Sequence, residues 1–346
     1  IYRYARTGFS SFKKMIVHLK DNISEPQSLE LAHSHKAVYF RSKNTPVLVL
    51  PSAIKVLPVA LEPLTKAHWP CDSDIQLASK AYKPETREVR WGKTVVGGNS
   101  GNTVVITGPC SVESLEQIEQ SASLLNELGI NTLRAGAFKP RTSPYTFQGM
   151  GIEGLQLLAR MREKHGFSII TEVRDATHIE QVIEYADIIQ IGAKAMYDHG
   201  ILRRCGKAGK PVLLKRGFGS TLQEFVQCAE FILSGGNEQV MLCERGIRTF
   251  ETKTRFTLDL CGVAYLKEYT NLPVILDPSH AMGYAYGVAD LARACVAMGV
   301  DGILIETHPQ PRVALSDASQ QLNHDEFRTL YRSLQPVAAA VNRKLV

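Results

Sequence analysis

The 346-residue chain has no uninterrupted apolar run of the ~18–20 residues a spanning helix needs. Its longest apolar stretch, TPVLVLPSAIKVLPVALEPL, is broken by proline and lysine. No membrane segment is therefore expected in it. Paired cysteines are also missing: Cys71, Cys110, Cys205, Cys228, Cys243, Cys261 and Cys295 are odd in number, widely spaced and without a CxxC. That excludes a disulfide framework and fits reduced thiols in a cytoplasmic protein. Single-sign charge is scarce where most of the chain lies. Residues 1–100 hold 15 Lys/Arg against 8 Asp/Glu, which leaves 25 against 26 for the rest. No nucleic-acid footprint covers the larger part, so anion binding there must come from a few placed cations. With 44% hydrophobic and 21% charged residues the composition is globular and excludes disorder. The start, IYRYARTGFSSFKK, lacks both an initiating methionine and the apolar core of a signal peptide. Met15 reads as a native start, with residues 1–14 an upstream or non-native extension.

What is present from residue 101 onward is a rhythm. Short apolar, β-branched runs alternate with amphipathic stretches: TVVITG (103–108), NTLRAGAF (131–138), FSIITEV (167–173), ADIIQIGA (186–193), PVLLKRG (211–217), QVMLCERG (239–246), PVILDPSH (273–280) and GILIETH (302–308). Such unalternated runs suit parallel strands buried on both faces. Eight strand-and-helix units in about 245 residues match an α/β fold of the (β/α)8 TIM-barrel type, here over 101–346. No GxGxxG follows the first strand, which disfavours an open doubly wound sheet. Residues 15–66 read as a small α+β unit, with strands at MIVHLK, KAVYFRS and TPVLVLP and a helix at EPQSLELAHSH. Residues 67–100 read as a linker with a hairpin at REVRWGKTVVGG.

Barrel enzymes carry their chemistry at the C-terminal ends of the strands, and polar residues recur there. One set is Cys110, His280, Glu306 and Asp317. Mixed sulfur, nitrogen and oxygen donors suit a divalent transition metal (Mn, Fe, Co or Zn) rather than Ca or Mg. The second set is cationic: Arg134, Lys139, Arg141, Lys194, Lys215 and Arg245, with Thr142 and Ser143. Six cations around one mouth repel one another unless anions fill the site, and they suffice for two phosphate groups. Asp277 and His308 end the seventh and eighth strands, and Glu172 ends the third.

Seven segments, GPCSVES, LRAGAFKPRTSPYTFQG, TEVRD, LLKRG, CERGIRTFE, LDPSHAMG and IETHPQPRVALSDASQ, resemble the type I 3-deoxy-D-arabino-heptulosonate 7-phosphate (DAHP) synthases, β subgroup, over residues 100–335. KPRTS separates the chain from the related 3-deoxy-octulosonate 8-phosphate synthases, which read KANRSS there and use arabinose 5-phosphate. The resemblance implies condensation of phosphoenolpyruvate with erythrose 4-phosphate, the opening of the shikimate pathway. It also implies that Cys110, His280, Glu306 and Asp317 hold the metal. Arg134, Lys139, Lys215 and Arg245 would contact phosphoenolpyruvate, with Arg141, Thr142 and Ser143 on the aldose phosphate. Lys139 and Glu172 would carry a proton and orient water, beside Cys110 and His280. Asp277, His308 and Lys194 complete the substrate-facing candidates. Where the family reads IGARNM this chain reads IGAKAM, so Lys194 keeps a charge and loses the arginine fork. A ferredoxin-like N-terminal unit that binds an aromatic amino acid, and a homodimer or homotetramer, are further implications. The second half of that unit is not legible in the sequence. A non-catalytic sensor of phosphorylated metabolites would be expected to have lost some ligands, and all four are present.

Overall fold

The computed structural model describes residues 14–71, 75–139, 143 and 145–346. The chain divides after Pro84 into two compact units. The division differs from the expected boundaries at 66 and 100.

In the first unit, β1 (Lys14–Leu19), α1 (Glu25–Ser34), β2 (Val38–Ser42), β3 (Thr45–Leu50) and β4 (Thr65–Cys71) form a four-stranded antiparallel sheet in the order β2-β3-β1-β4. Met15, Val17, Leu19, Leu48 and Leu50 pack on one face with Ile23, Ala32 and Leu61. Residues 67–71, expected to open a linker, are instead the body of β4, with Trp69 opposite Ile16. Pro70 obscured this strand. A proline is tolerated there because β4 is an edge strand. Between β3 and β4, where a ferredoxin-like unit carries a second helix, the described helical structure is one 3-10 turn, Glu62–Leu64.

The second unit opens with a hairpin, β5 (Glu88–Trp91) and β6 (Thr94–Gly97). Eight parallel strands follow: β7 (Asn102–Gly108), β8 (Thr132–Arg134), β9 (Ser168–Val173), β10 (Ile188–Ile191), β11 (Val212–Lys215), β12 (Val240–Glu244), β13 (Val274–Leu276) and β14 (Gly302–Glu306). β14 pairs with β7, so the sheet closes into the (β/α)8 barrel the alternation predicts. The intervening helices are α2 (Leu115–Leu128), α3 (Ile152–His165), α4 (Ile179–Tyr185), α5 (His199–Cys205), α6 (Leu222–Leu233), α7 (Leu260–Tyr269), α8 (Pro278–Met282), α9 (Ala285–Ala297) and α10 (His324–Ala340). Their ends follow local chemistry. Thr221 and Glu224 form a capping box on α6, and Gly129 ends α2 in the left-handed conformation. A last short strand, β15 (Lys344–Leu345), pairs with β7 beside the barrel.

The barrel interior is filled by Val104, Ile106, Ile170, Ile188, Leu213, Met241, Cys243, Ile275 and Leu304, and the hairpin residues Val89, Trp91 and Val96 join that core. Trp91 donates its indole N–H to Thr132 Oγ1 at the start of β8 (3.0 Å). The hairpin thus stoppers the N-terminal end of the barrel. Polar side chains with room around them are left to the C-terminal end.

Candidate active site

Each of the four donor residues is held by its local sequence. In the segment DPSH, Asp277 caps the short helix α8: its side chain accepts from His280 N (2.9 Å), with Pro278 in the first turn. That fixes the imidazole, whose Nδ1 lies 2.7 Å from Asp277 Oδ2. Glu306 ends β14, and its backbone N–H donates to Ser279 Oγ (3.0 Å). Cys110 follows β7 and is fully buried; its N–H donates to Gln321 Oε1 (2.9 Å). Asp317 sits at φ 44°, a left-handed conformation that aspartate tolerates better than most residues.

These four side chains converge. Ligand atoms of Cys110, Glu306 and Asp317 all lie within 4.8 Å of one another. His280 Nε2 is 3.6 Å from Glu306 Oε1 and 3.9 Å from Asp317 Oδ2. Burial lowers the His280 pKa below its ordinary value, against the pull of Asp277 and Glu306, so the ring is neutral at pH 7 and Nε2 can offer a lone pair. Burial, reinforced by Glu306, pushes the Cys110 thiol up to about 12. Two carboxylates and a buried sulfur packed this closely call for a cation, and a bound divalent ion would deprotonate the thiol. The donor set therefore fits a transition metal.

Cations surround the donors. Arg134, 1% exposed, pairs with Glu306 and donates from Nε to Gln190 Oε1 (3.3 Å). Gln190 Nε2 in turn donates to Glu172 Oε2 (2.5 Å). Lys139 Nζ donates to Cys110 O (3.1 Å) and Sγ (2.9 Å). Burial disfavours the Lys139 ammonium, but Cys110, Glu172 and Glu306 outweigh it and its pKa stands above the ordinary lysine value. Lys215 Nζ is 2.6 Å from Asp277 Oδ2. Against burial, His280 and Lys215 hold the Asp277 carboxyl well below the usual range.

Above this floor opens a cavity of about 390 Å³. Lys139, Lys194, Lys215, Arg245, Arg248 and Arg255 line it, against the acids Glu172 and Asp317. Arg245 lies over the Phe256 ring at 4.3 Å and Arg248 over Phe218 at 4.8 Å. Three buried guanidinium nitrogens have no hydrogen-bond partner among the described residues: Arg245 Nη1 in the cavity wall, Arg134 Nη2 in its floor and Arg216 Nε behind the wall. Unsatisfied buried donors on arginines are what an anion site requires.

The sequence-derived candidates thus fall into three groups. Cys110, His280, Glu306, Asp317, Arg134, Lys139, Glu172, Lys194, Lys215 and Arg245 meet at one end of the barrel, with Asp277 bracing two of them from below. Ser143 and His308 do not line the cavity. Ser143 Oγ accepts from Tyr145 N (3.3 Å) in its own loop. His308 faces a separate pocket, its Nε2 3.4 Å from Glu113 Oε2. Arg141 and Thr142 lie outside the described residues. Residues the sequence reading missed are Gln190, Arg255 and Gln320. A lone glutamine inside the apolar run ADIIQIGA was the one usable signal for the first.

The chain is similar to known proteins over most of its length. A family model described as the DAHP synthetase I family matches residues 75–343. A phospho-2-dehydro-3-deoxyheptonate aldolase of Thermotoga maritima is 44% identical over 270 residues, spanning 78% of this chain and 79% of that protein. A 2-dehydro-3-deoxyphosphooctonate aldolase of Methylobacillus flagellatus is 35% identical over 260 residues, spanning 69% and 92%. The crystal structure of DAHP synthase from Thermotoga maritima matches with a TM-score of 0.78 at 38% identity, over 96% of this chain and all of that one.

Proposed function

We propose that this chain, which belongs to the DAHP synthetase I family, condenses phosphoenolpyruvate with D-erythrose 4-phosphate and water. The products are DAHP and inorganic phosphate, the first step of the shikimate pathway. The observation that carries this reading is the meeting of Cys110, Glu306 and Asp317 within 4.8 Å beneath a cation-lined cavity. The higher identity to a heptonate aldolase than to the octonate aldolase favours erythrose 4-phosphate over arabinose 5-phosphate.

In the reaction, carbon 3 of phosphoenolpyruvate bonds to the aldehyde carbon, whose oxygen gains a proton. Water adds at carbon 2 and loses a proton, and the bond from carbon 2 to the phosphate oxygen breaks with release of phosphate. Arg134, Lys215 and Arg245 hold the phosphoenolpyruvate anion, and Lys194 adds charge at the rim. Arg141 and Thr142 are assigned to the aldose phosphate; Ser143, which lies off the cavity, is not. The Lys139 ammonium holds the proton due at the aldehyde oxygen, and Glu172 Oε orients the water. Cys110, His280, Glu306 and Asp317 would hold a divalent ion (Mn, Fe, Co or Zn), whose chemistry when bound is that of a Lewis acid.

Resemblance to both heptonate and octonate aldolases supports membership of the β subgroup. The sheet order β2-β3-β1-β4 supports a ferredoxin-like first unit, and the family resemblance assigns such a unit an aromatic amino acid as effector. A homodimer or homotetramer follows from the same resemblance. No helix of the described residues is long and apolar enough to cross a membrane, and seven free cysteines support a cytoplasmic setting.

The test is phosphate release by metal-stripped protein, crossing two sugar phosphates, several metals and three aromatic amino acids. Release should need phosphoenolpyruvate, erythrose 4-phosphate and metal together, and tyrosine or phenylalanine should depress it. A higher kcat/KM with arabinose 5-phosphate would overturn the substrate assignment. A rate that resists chelation would overturn the metal.

A further inference from the structure

One arginine in the cavity wall is tied to three of the four donor residues. The guanidinium of Arg255 donates from Nη1 to Gln320 Oε1 (2.6 Å). Gln320 is fully buried, and its Nε2 donates to Glu306 Oε2 (2.6 Å). The same Nη1 stands 3.7 Å from Asp317 Oδ2. Through the backbone, Arg255 N donates to Met282 O (3.1 Å) and Phe256 N to Ala281 O (2.9 Å), in the helical turn that carries His280. The contact is close because residue 283 is glycine. A Cβ there would stand 2.4 Å from Arg255 Cβ, and its φ of 77° disfavours other side chains.

A side-chain amide has a donor end and an acceptor end. With a guanidinium on one side and a carboxylate on the other, Gln320 has one favourable orientation. Flipped, it would aim N–H at a cation and oxygen at an anion. Arg255 thereby dictates that Nε2 faces Glu306 and occupies Oε2, leaving Oε1 to Arg134 and, at 3.6 Å, His280 Nε2. Groups that orient ligands in this way commonly change metal affinity by 10–100-fold when removed.

We propose that Arg255 is a positioning residue for the metal centre, acting on Glu306 through the polarity of the Gln320 amide and on Asp317 by charge. This rests on the metal-dependent reading given under Proposed function. Arg255 lines the cavity, and its polar link through Gln320 runs on into the donor cluster at Glu306.

The test measures the dissociation constant for Mn²⁺ on metal-stripped full-length protein, by competition with a fluorescent chelator. Arg255→Met keeps the apolar stem and removes the donors; Gln320→Leu keeps the volume and removes the amide. Each should weaken Mn²⁺ by 10–100-fold. Combined, they should weaken it clearly less than the product of the two, because they break one chain of contacts. Arg255→Lys, which can still donate to Gln320 Oε1, should recover part of the loss. Circular dichroism at matched temperature identifies any variant that fails to fold, and the double-mutant comparison can be repeated with Gln320→Met. Affinities within twofold of wild type, or fully multiplicative losses, would overturn the proposal. Wild-type protein that binds Mn²⁺ no better than Cys110→Ala would instead overturn the metal centre itself.

Discussion

At the scale of single residues, burial decides which groups can titrate. His324, in the first turn of α10, has a buried Nε2 without a hydrogen-bond partner among the described residues. Burial lowers its pKa from 6.5 to about 4, and Arg328 and His308 add to the effect. Asp325 and Glu127 oppose it. Between those two values the unfolded chain binds more protons than the folded one, so folding is progressively disfavoured as pH falls through the window. Above pH 6.5 the contribution is complete. His324→Gln should flatten the decline in urea midpoint between pH 7 and 4.5 relative to wild type. Parallel declines would place the acid sensitivity elsewhere. Residue-scale reading of the sequence was strongest for the donors, since Cys110, His280 and Glu306 end or closely follow strands whose apolar runs are unmistakable. It was weakest where direction matters. His308 lies two residues beyond Glu306, and on a continued strand both would face the same way. The strand ends at Glu306, the chain turns, and His308 faces Glu113 instead.

Among elements, the loops after β11 and β12 carry Phe218, Arg245, Arg248, Arg255 and Phe256, most of one cavity wall. They are joined from behind by Arg216, 4% exposed, which donates from Nη1 to Glu244 Oε2 (3.0 Å) and Asp259 Oδ2 (2.8 Å) and from Nη2 to Ser220 O (3.1 Å). Arg216→Met would leave Glu244 fully buried without its cation, with only backbone N–H donors for its carboxyl. A loss of about 3–5 kcal/mol in unfolding free energy is expected, together with a raised KM for phosphoenolpyruvate as the end of β12, next to Arg245, loses its brace. Denaturant titration and steady-state kinetics measure both. A stable variant with unchanged KM would show that the wall supports itself. None of this network was visible in the sequence: LLKRG and CERG mark strand ends, but nothing in them says which cation faces substrate and which faces acid. Conversely, the eight strands were legible because parallel strands buried on both faces must be apolar throughout. Strand β4 was not, since its alternation TKAHWPC is that of an edge with one buried side.

For the whole molecule, the division after Pro84 separates a small antiparallel unit from a closed barrel that holds every donor and every described cation of the site. Protein comprising residues 85–346 should retain metal-dependent phosphate release within about an order of magnitude of the full chain and, on the effector reading proposed above, should not respond to tyrosine or phenylalanine. An inactive but folded barrel would show that the first unit is needed for catalysis.

The chain has two tryptophans, and the architecture gives one to each unit: Trp69 on β4, and Trp91 in the hairpin that stoppers the barrel. Their surroundings are unlike. Trp69 lies edge-on to His18 (4.6 Å) and Tyr82 (5.1 Å), where a protonated imidazole would quench emission, while Trp91 sits among aliphatic side chains. Trp69→Phe thus leaves a chain whose indole fluorescence comes from the barrel stopper alone, and Trp91→Phe one that reports on the small unit. Melting of the two halves can be followed optically without an added dye.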